Sequence, residues 1–178
     1  TAVIKANAYP FNYVTCAQAQ EIANKKSTAD YTNSLMFGFQ WDLVMKYLET
    51  KGVASQADLT TDSTSWGNYY NNLWSVTSTT AKYSTDNGAT YIDTPYAKTA
   101  NAAVLLTTGA DSSFSKMGIY DIAGNVWEWT LEYTSNSSYP CAGRGGGYNE
   151  NSGYPASFRV DGSTTISGDG VGFRPSLY

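Results

Sequence analysis

The 178-residue sequence contains no histidine. That absence removes the commonest general base, the usual partner of a nucleophilic serine or cysteine, and the commonest zinc ligand. Charge is also scarce: charged residues make up 15 % of the chain, and a net charge of −4 leaves no basic footprint for nucleic acid or an anionic membrane surface. No apolar run approaches the roughly 20 residues that span a bilayer, and no charged-then-apolar leader opens the chain. Neither nucleic acid nor membrane insertion is expected. The start at Thr1 suggests a processed chain or a domain cut from something longer. Cysteine is limited to Cys16 and Cys141, which leaves two readings open: one bridge closing a long loop, or two buried thiols.

Against these absences stand 42 % hydrophobic residues and 15 tyrosines, so the chain folds around a core under a neutral, aromatic surface. Its length suits one domain over residues 1–178. Thr15 followed three residues on by Gln18 forms a capping box, and Cys16, Ala19, Ile22 and Ala23 then recur at helical spacing, predicting a helix over about 15 to 26. Trp41, Val44, Met45 and Leu48 fall at i, i+3, i+4 and i+7, predicting a second amphipathic helix that Gly52 stops. From about Val53 to Asn101 periodicity is lost among Ser, Thr, Asn, Gly and Tyr. A connection this long is either functional or packed by its own side chains, with Trp66, Tyr69, Tyr70 and Trp74 as a small core of their own and Tyr69 or Tyr70 as candidates to border a binding surface. "AVLLTTGA" reads as a buried strand ending in a turn at Thr108 and Gly109.

In "MGIYDIAGNVWEWTLEY", Gly124 and Asn125 tolerate positive φ and mark a turn, after which the chain alternates with period two. Trp127, Trp129, Leu131 and Tyr133 would face the core. Glu128, on the other face, should meet a backbone turn, a cation or solvent. "GRGGGY" lacks both the Gly-Lys-Ser/Thr ending and the helical continuation of a phosphate loop, so that reading fails, and no internal repeat is visible.

"GIYDIAGNVWEWT", "RGGGY" and "GFRP", in that order, resemble the formylglycine-generating-enzyme group of C-type lectin folds. The likeness is strong over the last third of the chain and weaker at "FQWDLVMKYLE". It implies an α+β domain: two helices packed on small, twisted antiparallel sheets, with long loops and adjacent termini. The group's chemistry does not carry over. Its enzymes place catalytic cysteines just after "RGG" and the related sulfoxide synthases hold iron with histidines, whereas here positions 148–171 contain no cysteine and the chain no histidine.

A second branch of the fold resembles this chain more fully: the variable proteins of diversity-generating retroelements, with a constant "RGG" start, a constant "GFRP-LY" end and a rewritten tract between. The corresponding tract here spans about 148–171. Corrupting the adenines of an asparagine codon yields residues such as Asn, Tyr, Asp, Ser, Phe and Val but never Glu, Lys, Met or Trp. Tyr148, Asn149, Asn151, Tyr154, Phe158, Val160, Asp161, Ser163, Asp169 and Val171 obey that rule and form the candidate ligand-binding patch, whereas Glu150 does not. The likeness implies a scaffold of Trp127, Trp129, Arg144, Gly145, Gly146, Arg159, Gly172, Phe173, Arg174 and Pro175. "PASFRV" would anchor the loop as a short strand, and the arginines would fix loops by bonding carbonyls and carboxylates.

The implied function is non-catalytic recognition of a protein or glycan on a cell surface, displayed on a phage tail or bacterial surface, in one copy or many. Tyrosine with small polar residues suits such a surface. The expected anchors are Tyr148, Tyr154 and Phe158, whose replacement by Ala should abolish binding with little loss of stability. No cofactor is required, but Asp121, Asn125 and Glu128 offer oxygen ligands for a structural calcium, which family members carry near the matching motif. The alternatives are an enzyme completed by a partner and a calcium-dependent lectin, although no acidic-Pro-Asn sugar motif is present.

Overall fold

The computed structural model describes residues 4–178, so Thr1 lies outside the described residues. Helix α1 (Cys16–Asn24) starts where the capping box places it: the Gln18 amide donates to Thr15 Oγ1 at 3.3 Å, and the Thr15 amide donates to Gln18 Oε1 at 3.0 Å. Two otherwise orphaned donors are thereby satisfied. Helix α2 (Gly38–Thr50) buries Trp41, Met45 and Leu48 on one face and ends where the Gly52 amide bonds the Glu49 carbonyl. A third, short helix, α3 (Gln56–Thr60), was not foreseen, although Ser55 and Asp58 make the same reciprocal cap.

The strands are β1 (Asn33–Leu35), β2 (Trp74–Val76), β3 (Lys82–Ser84), β4 (Ile92–Asp93), β5 (Tyr96–Lys98), β6 (Leu105–Leu106), β7 (Ser115–Lys116), β8 (Ile119–Tyr120), β9 (Trp127–Tyr133), β10 (Cys141–Arg144), β11 (Arg159–Gly162), β12 (Val171–Phe173) and β13 (Pro175–Leu177). Among the described residues they form five small sheets, in the orders β1-β13, β11-β10-β9-β12, β2-β5, β4-β3-β6 and β7-β8. The fold is α+β as expected, with one correction: β12 runs parallel to β9, so the four-stranded sheet is mixed.

Three apolar clusters hold these pieces together. Helix α2 packs Trp41, Met45 and Leu48 against Trp66, Tyr69 and Ile122. Helix α1 packs Ala19 and Ala23 against Leu35 and Trp129, and a disulfide between Cys16 and Cys141 ties α1 to β10, deciding between the two cysteine readings. Val76, Leu106 and Phe114 form the third. Each such large side chain contributes about 1.5–3 kcal/mol through burial.

The four rings of the 53–101 segment therefore do not form one core of their own. Trp66 and Tyr69 join the cluster of α2, Trp74 packs beside Val76 and Phe114, and Tyr70 stays at the surface. The period-two reading of β9 holds at Trp127 and Trp129 and fails at Tyr133, which is 84 % exposed because the strand's end has run past the layers that cover it. Glu128 and Thr130, on the other face, are buried too.

Candidate functional site

The turn at "DIAGN" forms as read, with Gly124 at φ +70° and Asn125 at φ +63°. It delivers β9 to the centre of the four-stranded sheet, flanked by β10 and β12. Arg144 closes β10, where its Nη1 donates to the Ser157 carbonyl at 2.7 Å, its Nη2 bonds Asp42 and its guanidinium lies over the Trp41 ring. Arg159 pairs with Glu132 from β11, the short anchoring strand expected from "PASFRV". Arg174 donates Nε to Glu128 Oε2 at 2.9 Å and Nη2 to Glu128 Oε1 at 2.8 Å, with a further bond to the Tyr120 carbonyl. Each of the three arginines thus reaches a carboxylate or a carbonyl of another element.

Between Arg144 and Arg174 the chain makes its long excursion. Gly145 and Gly146 have φ of +92° and +80°, and a Cβ on Gly146 would sit 2.3 Å from the Tyr154 carbonyl oxygen. Only glycine fits there. From this bend onward, scaffold groups hold the tract's main chain. The Tyr70 amide donates to the Glu150 carbonyl (2.7 Å), Trp41 Nε1 to the Ala156 carbonyl (2.9 Å), and the Ser157 amide to the Leu59 carbonyl (3.0 Å). Further along, the Tyr13 amide reaches the Gly168 carbonyl (2.9 Å), Asn12 Nδ2 the Asp169 carbonyl (2.8 Å), and the Trp127 amide the Gly170 carbonyl (2.8 Å).

The tract's side chains divide between the surface and that frame. Asn149, Asn151 and Asp161 are exposed. Tyr154, Phe158, Val160, Ser163 and Asp169 are half-buried. Tyr154 and Phe158 stand edge-on to each other, 5.0 Å between centroids, over the buried Trp127 at 5.7 and 6.0 Å. Trp127 is thus the floor of an aromatic patch as well as a core residue.

Two members of the predicted patch are placed differently. Tyr148 is 1 % exposed, so it is not a surface anchor: its hydroxyl bonds Asp169 and reaches Asn87 Oδ1 at 3.2 Å, making the ring a strut beneath the tract. Burial, then the Asp169 carboxylate, raises its pKa. Val171 lies in β12 opposite Trp127 of β9 and packs against the cluster of α1, as a strand residue next to a buried sheet centre must.

Sequence reading also missed a rim. Tyr9, Phe11 and Tyr13 are exposed and border the tract's far end, with Tyr9 stacked on Tyr91 at 4.3 Å and the Tyr13 hydroxyl 3.3 Å from the Asn87 carbonyl. The signal was present in "NAYPFNY", whose Asn and Tyr content matches the tract. Tyr69, offered as a border residue, is instead buried with its hydroxyl on the Gly145 carbonyl, while the exposed Tyr70 does border the tract.

The oxygens proposed for calcium are engaged by protein donors. Both oxygens of Glu128 accept from Arg174, Asn125 Oδ1 accepts from Asn68 Nδ2 at 3.0 Å and the Leu106 amide at 3.1 Å, and Asp121 Oδ2 accepts the Gly109 amide at 2.6 Å. Burial raises the pKa of Glu128, and Arg174 opposes it. This donor set does not fit a calcium ion, and among the described residues no group of three or more His, Cys, Asp or Glu side chains is arranged to hold a metal. Beside the Glu128–Arg174 pair lies a cavity of about 510 Å³, lined by Ile4 and Ala6 on one side and Phe173 and Pro175 on the other, where segments near the two ends of the chain meet.

Helices on small sheets, the Arg174–Glu128 clamp and the glycine bend define a C-type lectin fold of the formylglycine-generating-enzyme subclass. The chain belongs to the sulfatase-modifying factor enzyme 1-like domain family, whose pattern matches residues 3–176. Among solved structures it is similar to CarF, at 16 % identity and a TM-score of 0.63 over 95 % of this chain and 67 % of that one. It is also similar to Treponema denticola variable protein 1, at 15 % identity and a TM-score of 0.54 over 93 % of this chain and 69 % of that one. At these identities the likeness carries the fold alone. No curated protein matches the sequence significantly.

Proposed function

We propose that this chain is a non-catalytic recognition domain whose 148–171 tract presents a diversified ligand-binding surface. The observation that carries this reading is the division of labour within the tract. Its backbone is hydrogen-bonded by groups from outside it, among them Asn12, Trp41 and Tyr70, so its outward side chains can be exchanged without loosening the frame. The surface residues suit the role, because Tyr154 offers large contact area at low entropic cost and Asn149 and Asn151 adapt their hydrogen bonds. The likeness to a variable protein of the same fold supports the reading.

The enzymatic alternative has less support. Both cysteines are joined to each other and the chain has no histidine, so it offers neither the thiol pair nor the imidazole cluster of its enzymatic relatives. The calcium-dependent lectin is disfavoured by the engaged oxygens of Asn125 and Glu128. No helix among the described residues is long and apolar enough to cross a membrane, and display on a phage or cell surface belongs to the proposal.

The test is deep sequencing of the gene's 3′ end across a natural population. Substitutions should cluster at adenine-derived positions of codons 148–171, spare "RGGG" and "GFRP", and avoid the buried Tyr148. A tract as constant as "GNVWEW" would end the diversification reading.

A further inference from the structure

Helix α2 carries a second apolar row, on the side opposite its core face. Phe39, Leu43 and Tyr47 are 62, 62 and 43 % exposed. They follow one another at i, i+4 and i+8, the straight ridge that side chains four apart form along a helix. The row continues beyond the helix: Phe37 stacks on Phe39 at 5.5 Å and meets the exposed Tyr178 at 6.3 Å. Isolated exposed leucines need no explanation, but a continuous aromatic and aliphatic stripe on a rigid helix marks an interaction surface.

The geometry points to a second copy of this chain as the occupant, docked by an antiparallel, two-fold crossing of α2 on α2. Ridges of side chains four apart interdigitate in the commonest class of helix packing, with axes crossing near −50°. With the two-fold axis beside Leu43, Leu43 meets its own counterpart and Phe39 faces Tyr47 of the second copy, which makes the patch self-complementary as an isologous interface requires.

The next exposed row carries Asp42, whose carboxylate bonds Arg144, and Lys46, which pairs with Glu49 of the same helix at 2.8 Å; the same axis sets Asp42 of each copy beside Lys46 of the other. With these rim charges already compensated within the chain, a partner of one charge sign gains nothing here, whereas a second copy brings no uncompensated charge to the seam. The stripe, counted with Phe37 and Tyr178, offers on the order of 500–600 Å² per copy, at the small end of specific interfaces, so the dimer should be weak and concentration-dependent. Pairing would give two recognition surfaces per particle and raise avidity for a repetitive target.

Sedimentation velocity on the chain from roughly 1 μM to 1 mM tests the proposal. A reversible species of twice the 19.3 kDa chain mass should grow with concentration. Leu43→Asp should weaken association at least about tenfold at unchanged melting temperature, since the side chain is outside the core, whereas Tyr133→Asp, off the stripe, should leave it intact. Leu43→Cys should form a disulfide-linked dimer under mild oxidation, and Tyr133→Cys should not. A wild-type chain monomeric throughout the range overturns the proposal and leaves the stripe to a different partner. A dimer that survives Leu43→Asp, or the absence of the Leu43→Cys cross-link, overturns it as well.

Discussion

Residues 53–101 and residues 148–171 have nearly the same vocabulary of Ser, Thr, Asn, Gly and Tyr, yet they use it in opposite ways. The first segment pushes its largest rings inward: Trp66 and Tyr69 complete the cluster under α2, and the chain around them folds into α3 and short strands. The second keeps Asn149, Asn151 and Asp161 outside and borrows its hydrogen bonds from the scaffold. Irregular backbone is stable in either manner, provided its amides and carbonyls find partners. What separates a structural loop from a candidate recognition loop is therefore not composition but which half of each residue, backbone or side chain, holds it in place.

The contrast is sharpest in single-ring truncations. Trp66→Ala should cost about 3–5 kcal/mol, the usual cost of emptying a buried aromatic site, and Tyr148→Ala should approach it because that ring is the tract's one buried strut. Urea unfolding measures both.

Tyr154→Ala and Phe158→Ala should each cost only about 1 kcal/mol, the worth of their edge-on contacts over Trp127. If either costs as much as Trp66→Ala, the tract is core and the contrast collapses. The expectation that the three predicted anchors can be removed cheaply is therefore restated as a prediction for the half-buried Tyr154 and Phe158 and withdrawn for the buried Tyr148.

A smaller effect joins the two regions. Lys98 is buried on β5, donates Nζ to the carbonyls of Tyr70 (3.0 Å) and Asn72 (2.5 Å), and so supports the turn whose Tyr70 amide holds Glu150. Burial pushes its pKa down to about 8 from its ordinary 10.5. Because the folded chain gives up that proton more readily than the unfolded one, stability should rise as pH climbs from about 8 towards 10.5. Thermal melts of wild type should show this upward slope before tyrosine ionisation sets in, and Lys98→Met should flatten it whatever it does to the melting temperature itself. An unchanged slope in Lys98→Met would show that the lysine does not carry the effect.

Much of the molecule was legible where a local rule acts alone. The caps at Thr15 and Gln18, the core row of α2 and the turn at Gly124 and Asn125 each follow from a few neighbouring residues. Helix α3 was hidden because five residues give no periodicity to read, and the parallel pairing of β12 with β9 because it joins segments about 40 positions apart in sequence. The tyrosine rim of residues 9–13 was missed for the same reason: its aromatic and amide residues were visible, but its neighbourhood was not.

By itself the sequence determined the helix faces, the arginines as fasteners and the exclusion of histidine chemistry, while the α+β class followed from the resemblance of its motifs to a known group. The first three are matters of residue type and short-range spacing. Tertiary structure alone decided that Cys16 meets Cys141, that Glu128 spends both oxygens on Arg174, and that Tyr148 lies under the surface rather than on it. Each depends on which distant groups arrive at the same place, and burial is a property of that arrival rather than of the residue.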